Sequence, residues 1–467
     1  MPSSSRPRLG QASHPHQTAS EDIVPAAITF AALGLDISQA EVTVCFLLPD
    51  GSEVVPRWTI PNSQPGAQAL AERVQALAKA QGIKELRIGL EATGLYWWHL
   101  ACFLKETHLL TEGDQGIYVF NPSLVQGLKR VYADAGKTDR LDAFFIAERL
   151  RVGRLPIPFQ PDLVYAPLQR LTRFRMHLAQ TLAREKNYCL ALLFLPFSAF
   201  SQEAPFDDLF SPTSLGVLET FTTEDLAQTS LEDLAAFVQQ HGRGRFADPR
   251  QVATALQQAA RHSYRLAPGL DEPLKLILTT TLATIRTLQS QLRAVDRTIA
   301  QDIAALPAAR RTLDSVPGLG PVWTAGLLAE VGDIFRFANE AAVAKFAGLV
   351  WKPRESGDFQ GEDTVLAKTG NPFLRYYLIE AANSVRQHCP EYRDYYNAKL
   401  AQSPKHAHKR ALVLTARKLV RLVDALLRAG TVYQPPETRQ DREEAQTRPH
   451  GARPQRHRRT PLAPSAC

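Results

Sequence analysis

Cysteine is scarce. The 467-residue chain has 5, at positions 45, 102, 189, 389 and 467, with no C-x-x-C pair among them. So few, scattered and odd in number, they exclude a disulfide framework and argue against a thiolate zinc site, which makes a reducing cytoplasm the expected compartment. Long apolar runs are missing too. The most apolar stretch, Tyr188 to Phe200, contains Pro196 and falls short of the roughly 20 residues that cross a bilayer. The opening MPSSSRPRLGQASHPHQTASED has no apolar core behind its charges, so it does not read as a secretory leader, and 1–26 is expected to be disordered. Neither sign of charge dominates: 54 Lys and Arg stand against 47 Asp and Glu, a net +7. Seven Arg against four acidic residues fall in 434–467 alone, so the balance permits a polyanionic partner without demanding one.

What is present is a globular chain, 45% hydrophobic, long enough for two or three domains. The first stretch, 27–160, reads as a mixed α/β sheet domain. Ile28–Leu35 is an apolar run ending in Asp36. Val42, Val44, Phe46 and Leu48 alternate, Asp50-Gly51 supplies a turn, and Glu53–Ile60 returns as a partner strand. Helical spacing follows over Gln64–Ala80, a strand over Glu85–Leu90 that delivers Glu91, a helix over Leu95–Lys105, a strand over Ile117–Asn121 and a helix over Asp139–Arg151.

Two long amphipathic patterns, within 161–195 and 274–306, fit a coiled-coil arm or an oligomer seam, and fit ordinary core helices equally well. Between them, 196–273 is richer in Pro and Gly, less regular, and looks like an insertion. A helical domain is expected over 307–433, with Pro317-Gly318-Leu319-Gly320 opening a helix to about Val331. The polar, Arg-rich 434–467 reads as a disordered basic tail.

The carboxylates of the first domain carry chemistry. Asp36 and Glu91 each close an apolar strand, and Asp139 and Asp142 stand three apart on one helix face. Four hard oxygen donors suit Mg²⁺ or Mn²⁺, and two such ions about 3.5–4 Å apart can stabilise both oxygens of a phosphodiester exchange. A D-x-x-D on a helix is also what a solvated face looks like. Gly136-Lys137-Thr138 resembles the end of a Walker A loop, but Val131 stands where its first glycine belongs, so ATP is not expected. Lys137 and Arg140 could instead meet phosphate beside the carboxylates.

In the third domain, Leu313 to Gly320 followed by an Ala/Leu-rich helix resembles a helix-hairpin-helix, in which Gly318 and Gly320 let the backbone approach a DNA phosphate; a plain tight turn is the alternative. Arg354-Glu355-Ser356-Gly357 lies in a polar loop, followed by Lys368-Thr-Gly-Asn371 and Arg375; Arg354, Lys368, Asn371 and Arg375, with Lys409 and Arg410 farther on, are expected to contact nucleic acid. A serine among cations can attack phosphorus, though a loop Ser-Gly is usually a turn. No G-x-S-x-G occurs, which argues against an α/β-hydrolase esterase. His406 and His408 sit among Lys405, Lys409 and Arg410, a setting that favours phosphate over a metal.

LGLDIS (33–38), GLEATG (89–94), VFNP (119–122), KTDRLDA (137–143), PGLGPVWTAGLLAEVGD (317–333), KFAGLV (345–350), ESG (355–357) and KTGNPFLRYYLIEAA (368–382) occur in order. Together they resemble the DEDD-type insertion-sequence transposases of the IS-one-ten group. The resemblance implies an N-terminal RuvC-like, RNase H-type domain, long coiled-coil helices and a C-terminal transposase domain. By motif, it makes Asp36, Glu91, Asp139 and Asp142 metal ligands and Ser356 the nucleophile that joins to a DNA strand. It also implies donor and target DNA as partners, a structured guide RNA that selects sequence by base pairing, and a homo-oligomer, dimer or tetramer, whose subunits share a composite site beside the bacterial nucleoid. The rival readings are a hydrolytic RuvC-like junction nuclease and an inactive nucleic-acid-binding protein.

Overall fold

The computed structural model describes residues 30–122, 125–126, 139–153, 155–161, 163–267, 269–352, 355–356, 359–360, 365–367, 369–403 and 405–435. The expectations for 1–26 and for all but the first two residues of the tail lie outside these. The chain divides into two compact units, Met1–Pro161 and Asp162–Cys467.

The first unit runs β1 (Ala31–Ile37), β2 (Glu41–Leu47), β3 (Trp58–Pro61), α1 (Gln64–Gln81), β4 (Glu85–Glu91), α2 (Trp98–Glu106), β5 (Asp114–Phe120) and α3 (Asp139–Val152). Its five-stranded sheet has the order β3-β2-β1-β4-β5. β1–β2 and β2–β3 pair antiparallel, whereas β1–β4 and β4–β5 pair parallel. Both faces of β1 are covered, which is why its sequence is apolar almost without alternation. Leu33, Leu35 and Ile37 share a core with Leu70 and Val74 of α1 and with Leu100 and Leu104 of α2. Ala32 belongs to a second core with Ala143, Ile146, Ala147 and Leu150 of α3. Each large side chain so buried contributes roughly 1.5–3 kcal/mol. α1 starts where the Ser63 hydroxyl accepts the Gly66 N–H and stops at the left-handed Gly82. The expected partner strand over Glu53–Ile60 shortens to Trp58–Pro61, with one isolated Leu47–Glu53 bridge before it. Pro56 has no N–H for the ladder, so pairing resumes only beyond it.

In the second unit, α4 (Ala166–Leu193) and α10 (Asp271–Asp302) are the two long helices. They run antiparallel: Arg175 pairs with Asp296, while Cys189 and Leu193 share a core with Leu282 and Ile285. The segment between them corrects the expectation of irregularity. It holds α5 (Phe200–Glu203), α6 (Pro212–Thr220), α7 (Thr223–Gln228), α8 (Leu231–Gly242) and α9 (Pro249–His262). Pro212 and Pro249, which suggest breaks, occupy first-turn positions where a missing N–H costs nothing, and Ser211, Thr222, Ser230 and Asp248 cap the helix starts. Phe197, Phe200, Phe206 and Phe210 pack this segment onto the C-terminal end of α4 and the middle of α10.

The chain then forms α11 (Pro307–Asp314), α12 (Pro321–Val331), α13 (Glu340–Ala347), α14 (Pro372–His388), α15 (Pro390–Ala401) and α16 (Ala407–Ala429). Leu328, Tyr377, Leu378, Leu419 and Val420 are central to their core, which Leu168 of α4 and Ile299 of α10 join. Between α13 and α14 lie four two-residue strands: β6 (Trp351–Lys352) pairs antiparallel with β9 (Val365–Leu366), and β7 (Glu355–Ser356) with β8 (Phe359–Gln360). The expected polar loop therefore carries a nested ladder. Among the described residues, no helix is long and apolar enough to cross a membrane.

Candidate active site

The first unit brings its acids to one edge. Leu35 of β1 stands opposite Leu90 of β4 in a parallel pair, so Asp36 and Glu91 follow on adjacent strands, about 4.8 Å apart in the pairing direction. The chain leaves β1 toward β2 and β3 and returns to β4 on the other side. The crevice beyond the carboxyl ends of β1 and β4 is thus a switch point, the usual place for a ligand on such a sheet.

α3 lies over the same crevice. A Cβ on Gly34 would stand 2.2 Å from the Ala143 carbonyl oxygen and 2.5 Å from the Ala147 nitrogen, so helix and strand touch backbone to backbone there. Farther back along the sheet, Arg87 donates to the Leu150 carbonyl at 3.5 Å. α3 therefore runs against β1, and its first turn reaches the strand's carboxyl end. Ala143, Ile146, Ala147 and Leu150 form its buried stripe, Asp142 continues that stripe one turn earlier, and Asp139 begins the helix. Gly34 and Gly89 face α3, so Asp36 and Glu91, two residues on, share that face.

Glu91 accepts a hydrogen bond from the Thr93 hydroxyl at 3.2 Å. The side chains of Asp139 and Arg140 and all of Lys137 lie outside the described residues. Among the described residues, no three His, Cys, Asp or Glu side chains are gathered closely enough to hold an ion. The donor chemistry and the placement at one crevice nonetheless fit a hard divalent cation: all four are carboxylates, and the backbone delivers them to the same end of the sheet.

In the second unit, Ser356 pairs with Phe359 across the end of the inner strand pair, and Trp351 with Leu366 across the outer one. The serine thus lies on the inner strand pair of a hairpin whose feet are Val350 and Ala367, joined by the Ala367 N–H to the Val350 carbonyl at 2.8 Å. Its side chain, and all of Arg354 and Lys368, lie outside the described residues.

Residues 33–197 match the family profile of the DEDD transposases of IS110, and residues 310–397 match that of the IS116/IS110/IS902 transposases, together more than half of the chain. Similar proteins align with most of the chain. The IS900 insertion-element protein of Mycobacterium paratuberculosis is 28% identical over 87% of this chain and 97% of its own. The IS110 protein of Streptomyces coelicolor is 26% identical over 86% and 95%. The IS116 protein of Streptomyces clavuligerus is 28% identical over 70% and 80%.

The chain belongs to the IS110 family of transposases.

An IS110-family transposase acts on DNA, and the expected nucleic-acid contacts fall into two groups. Lys409 and Arg410 are exposed in the first turn of α16. Gly320 is also open, whereas Gly318, Arg375 and Asn371 turn toward the protein. Gly318, at φ +93°, lies against the backbone of Ser384 and Val385, and its carbonyl accepts the Ser384 hydroxyl at 2.7 Å. Helix packing alone demands glycine there. Gly320 is open, with nothing within 4 Å of a Cβ, and forms the N-cap of α12 without a side-chain cap. Arg375 is half-buried and donates to the Ala347 carbonyl at 3.2 Å, and desolvation lowers its pKa from the ordinary guanidinium value. Asn371 caps α14, accepting the N–H groups of Phe373 and Leu374, and donates its amide to Glu330 at 2.7 Å. Nor do the histidines pair: the His408 ring hydrogen-bonds the Tyr396 hydroxyl at 2.6 Å.

Glu330 and Arg173 are the residues that sequence reasoning missed. The Glu330 side chain is wholly buried and meets the Arg173 guanidinium in two bonds, 2.7 and 2.9 Å. One signal was available, a lone acid in the apolar run TAGLLAEVG. Arg173, 157 residues away, gave none.

Proposed function

We propose that this transposase cuts and rejoins DNA by metal-assisted phosphoryl transfer, with the Ser356 hydroxyl as nucleophile. The observation that carries the reading is the placement of Asp36 and Glu91 on adjacent parallel strand ends, under the first turn of the helix bearing Asp139 and Asp142. The mixed sheet, antiparallel on one side of β1 and parallel on the other, supports an RNase H-type domain. These carboxylates would hold Mg²⁺ or Mn²⁺, which supplies Lewis-acid stabilisation to the charge on a phosphodiester.

The chain's own residues do the rest. Attack by the Ser356 oxygen on phosphorus makes one serine–phosphate ester and breaks one strand bond, releasing a DNA hydroxyl. Attack by a hydroxyl of another strand reverses this exchange, so the strand is resealed without ATP. Gly320 and the N–H groups at the start of α12, in a helix-hairpin-helix-like element, together with Lys409 and Arg410, would hold the phosphate backbone without reading sequence. Sequence choice would then rest on a structured guide RNA, within an assembly of several subunits.

Trapping of labelled DNA on the protein under denaturing conditions tests the reading. Ser356→Ala should abolish the adduct, and Asp36→Asn should abolish both adduct and cleavage. Cleavage that persists in Ser356→Ala would make the enzyme a hydrolase. Sequencing of small RNA that copurifies with the protein tests the guide, and recombination of cognate DNA without RNA would overturn that part.

A further inference from the structure

We infer that Asn371, Glu330 and Arg173 form a buried clamp that positions the Ser356 hairpin, making Asn371 a positioning residue for strand transfer. This rests on Ser356 being the nucleophile.

Among the described residues, the feet of the hairpin between α13 and α14 are bonded to the helices on either side. On one side the chain leaves α13 through Gly348 and Leu349, which close on the Lys345 and Ala344 carbonyls at 3.0 and 2.8 Å. On the other side it re-enters the core at Asn371, whose N–H donates to the Phe346 carbonyl at 2.5 Å. Asn371 is thus bonded at once to the helix before the hairpin and, through its side-chain oxygen, to the N–H groups of Phe373 and Leu374 in the helix after it. Its side-chain amide then reaches a third element, α12, where it donates to Oε2 of Glu330 at 2.7 Å.

Glu330 could not be buried there alone. An unpaired carboxylate in the core costs several kcal/mol, and Arg173 of α4 offsets this with a bidentate pair. The Arg173 guanidinium also lies 4.3 Å from the Phe373 ring centroid, so the cation touches the first turn of α14 on its other side. Four helices therefore converge on the residue at which the hairpin ends. Among the described residues, the hairpin's own pairing is two short two-residue ladders. In the clamp, the feet set the course of the strand that carries Ser356.

The test separates the donor from the cap. Asn371→Ser retains an oxygen that caps a helix about as well as asparagine but cannot reach Glu330 as a donor. Asn371→Asp also keeps the cap and sets a second carboxylate against the first. Adding Glu330→Gln to Asn371→Asp restores a donor–acceptor pair in reverse. Hydrogen exchange in the full-length protein is read at the strand pairs 351–352/365–366 and 355–356/359–360 and at α12 and α16, alongside DNA affinity and the rate of covalent adduct formation.

In both single variants the strand pairs should exchange more than about tenfold faster while α12 and α16 stay protected. Adduct formation should slow by about 10²-fold, the cost of a displacement near 1 Å at a reacting group, with DNA affinity within about twofold. The double variant should recover most of both. Unchanged exchange in the hairpin, exchange accelerated equally in every helix, or a loss of adduct explained by lost DNA affinity would each overturn the clamp. A wild-type protein that forms no adduct would sink the serine reading, and the exchange data would still judge the clamp.

Discussion

Gly34→Ala places one methyl group where β1 and α3 meet and touches no carboxylate. The added carbon would fall 2.2 Å from the Ala143 carbonyl oxygen and 2.5 Å from the Ala147 nitrogen, where ordinary contacts exceed 3.0 Å. Both neighbours are backbone, so no rotamer change relieves the clash, and α3 must lift by about 1 Å. Overpacking of this kind costs about 1–3 kcal/mol. At roughly 2–4 °C per kcal/mol for a domain of this size, Tm should fall by about 2–12 °C. The helix that lifts bears Asp139 and Asp142, whereas Asp36 stays with the strand. On the proposed function, in which these acids act on one phosphate, a shift of about 1 Å between them lowers the rate by about 10²-fold. Calorimetry and a strand-transfer assay, run well below the variant's Tm, read the two effects separately. An unchanged Tm would refute the packing argument. Lowered stability with full activity per folded molecule would refute the claim that α3 sets the geometry of the acids.

Removing Arg173 with Arg173→Ala leaves the Glu330 carboxylate buried without its cation, so urea denaturation should show a loss of about 3–5 kcal/mol; a loss under 1 kcal/mol would mean that water reaches the site. Burial pushes the Cys45 thiol up to about 12 and the Cys189 thiol up to about 11, so native protein at pH 8 should leave both unalkylated, and urea should expose both. The same shift has a sign for stability. A thiol held protonated by the fold contributes fully below its ordinary value of 9.0, and the contribution is lost as pH rises toward about 12. Cys45→Ala should flatten the alkaline limb of the stability profile measured between pH 8 and 10, and an unaltered limb would count against this assignment.

Much of this protein was legible without coordinates, for local reasons. The apolar runs at Ala31–Ile37 and Glu85–Glu91 are strands because both faces are covered, and the acids closing them stand out against that background. The apolar residues Leu141, Phe144, Phe145 and Leu150 announce α3, although the stripe that it buries runs through Ala143, Ile146, Ala147 and Leu150. The segment 196–273 misled because Pro212 and Pro249 start helices where composition suggests that they break them. The clamp at Glu330 was hidden for a different reason. Its partners come from 41 and 157 residues away, and no periodicity records a contact of that range.

The order of the motifs and the identity of the chemically able side chains were thus fixed by the chain itself, through patterns no longer than a strand or a few helical turns. Which of those side chains face a common crevice, and which are consumed in holding the protein together, was decided only by packing. Asp36 and Glu91 became neighbours through a parallel pairing that needs the whole β2–α1 excursion between them. Asn371, equally plausible from sequence as a phosphate contact, turned inward because a buried carboxylate required a donor there.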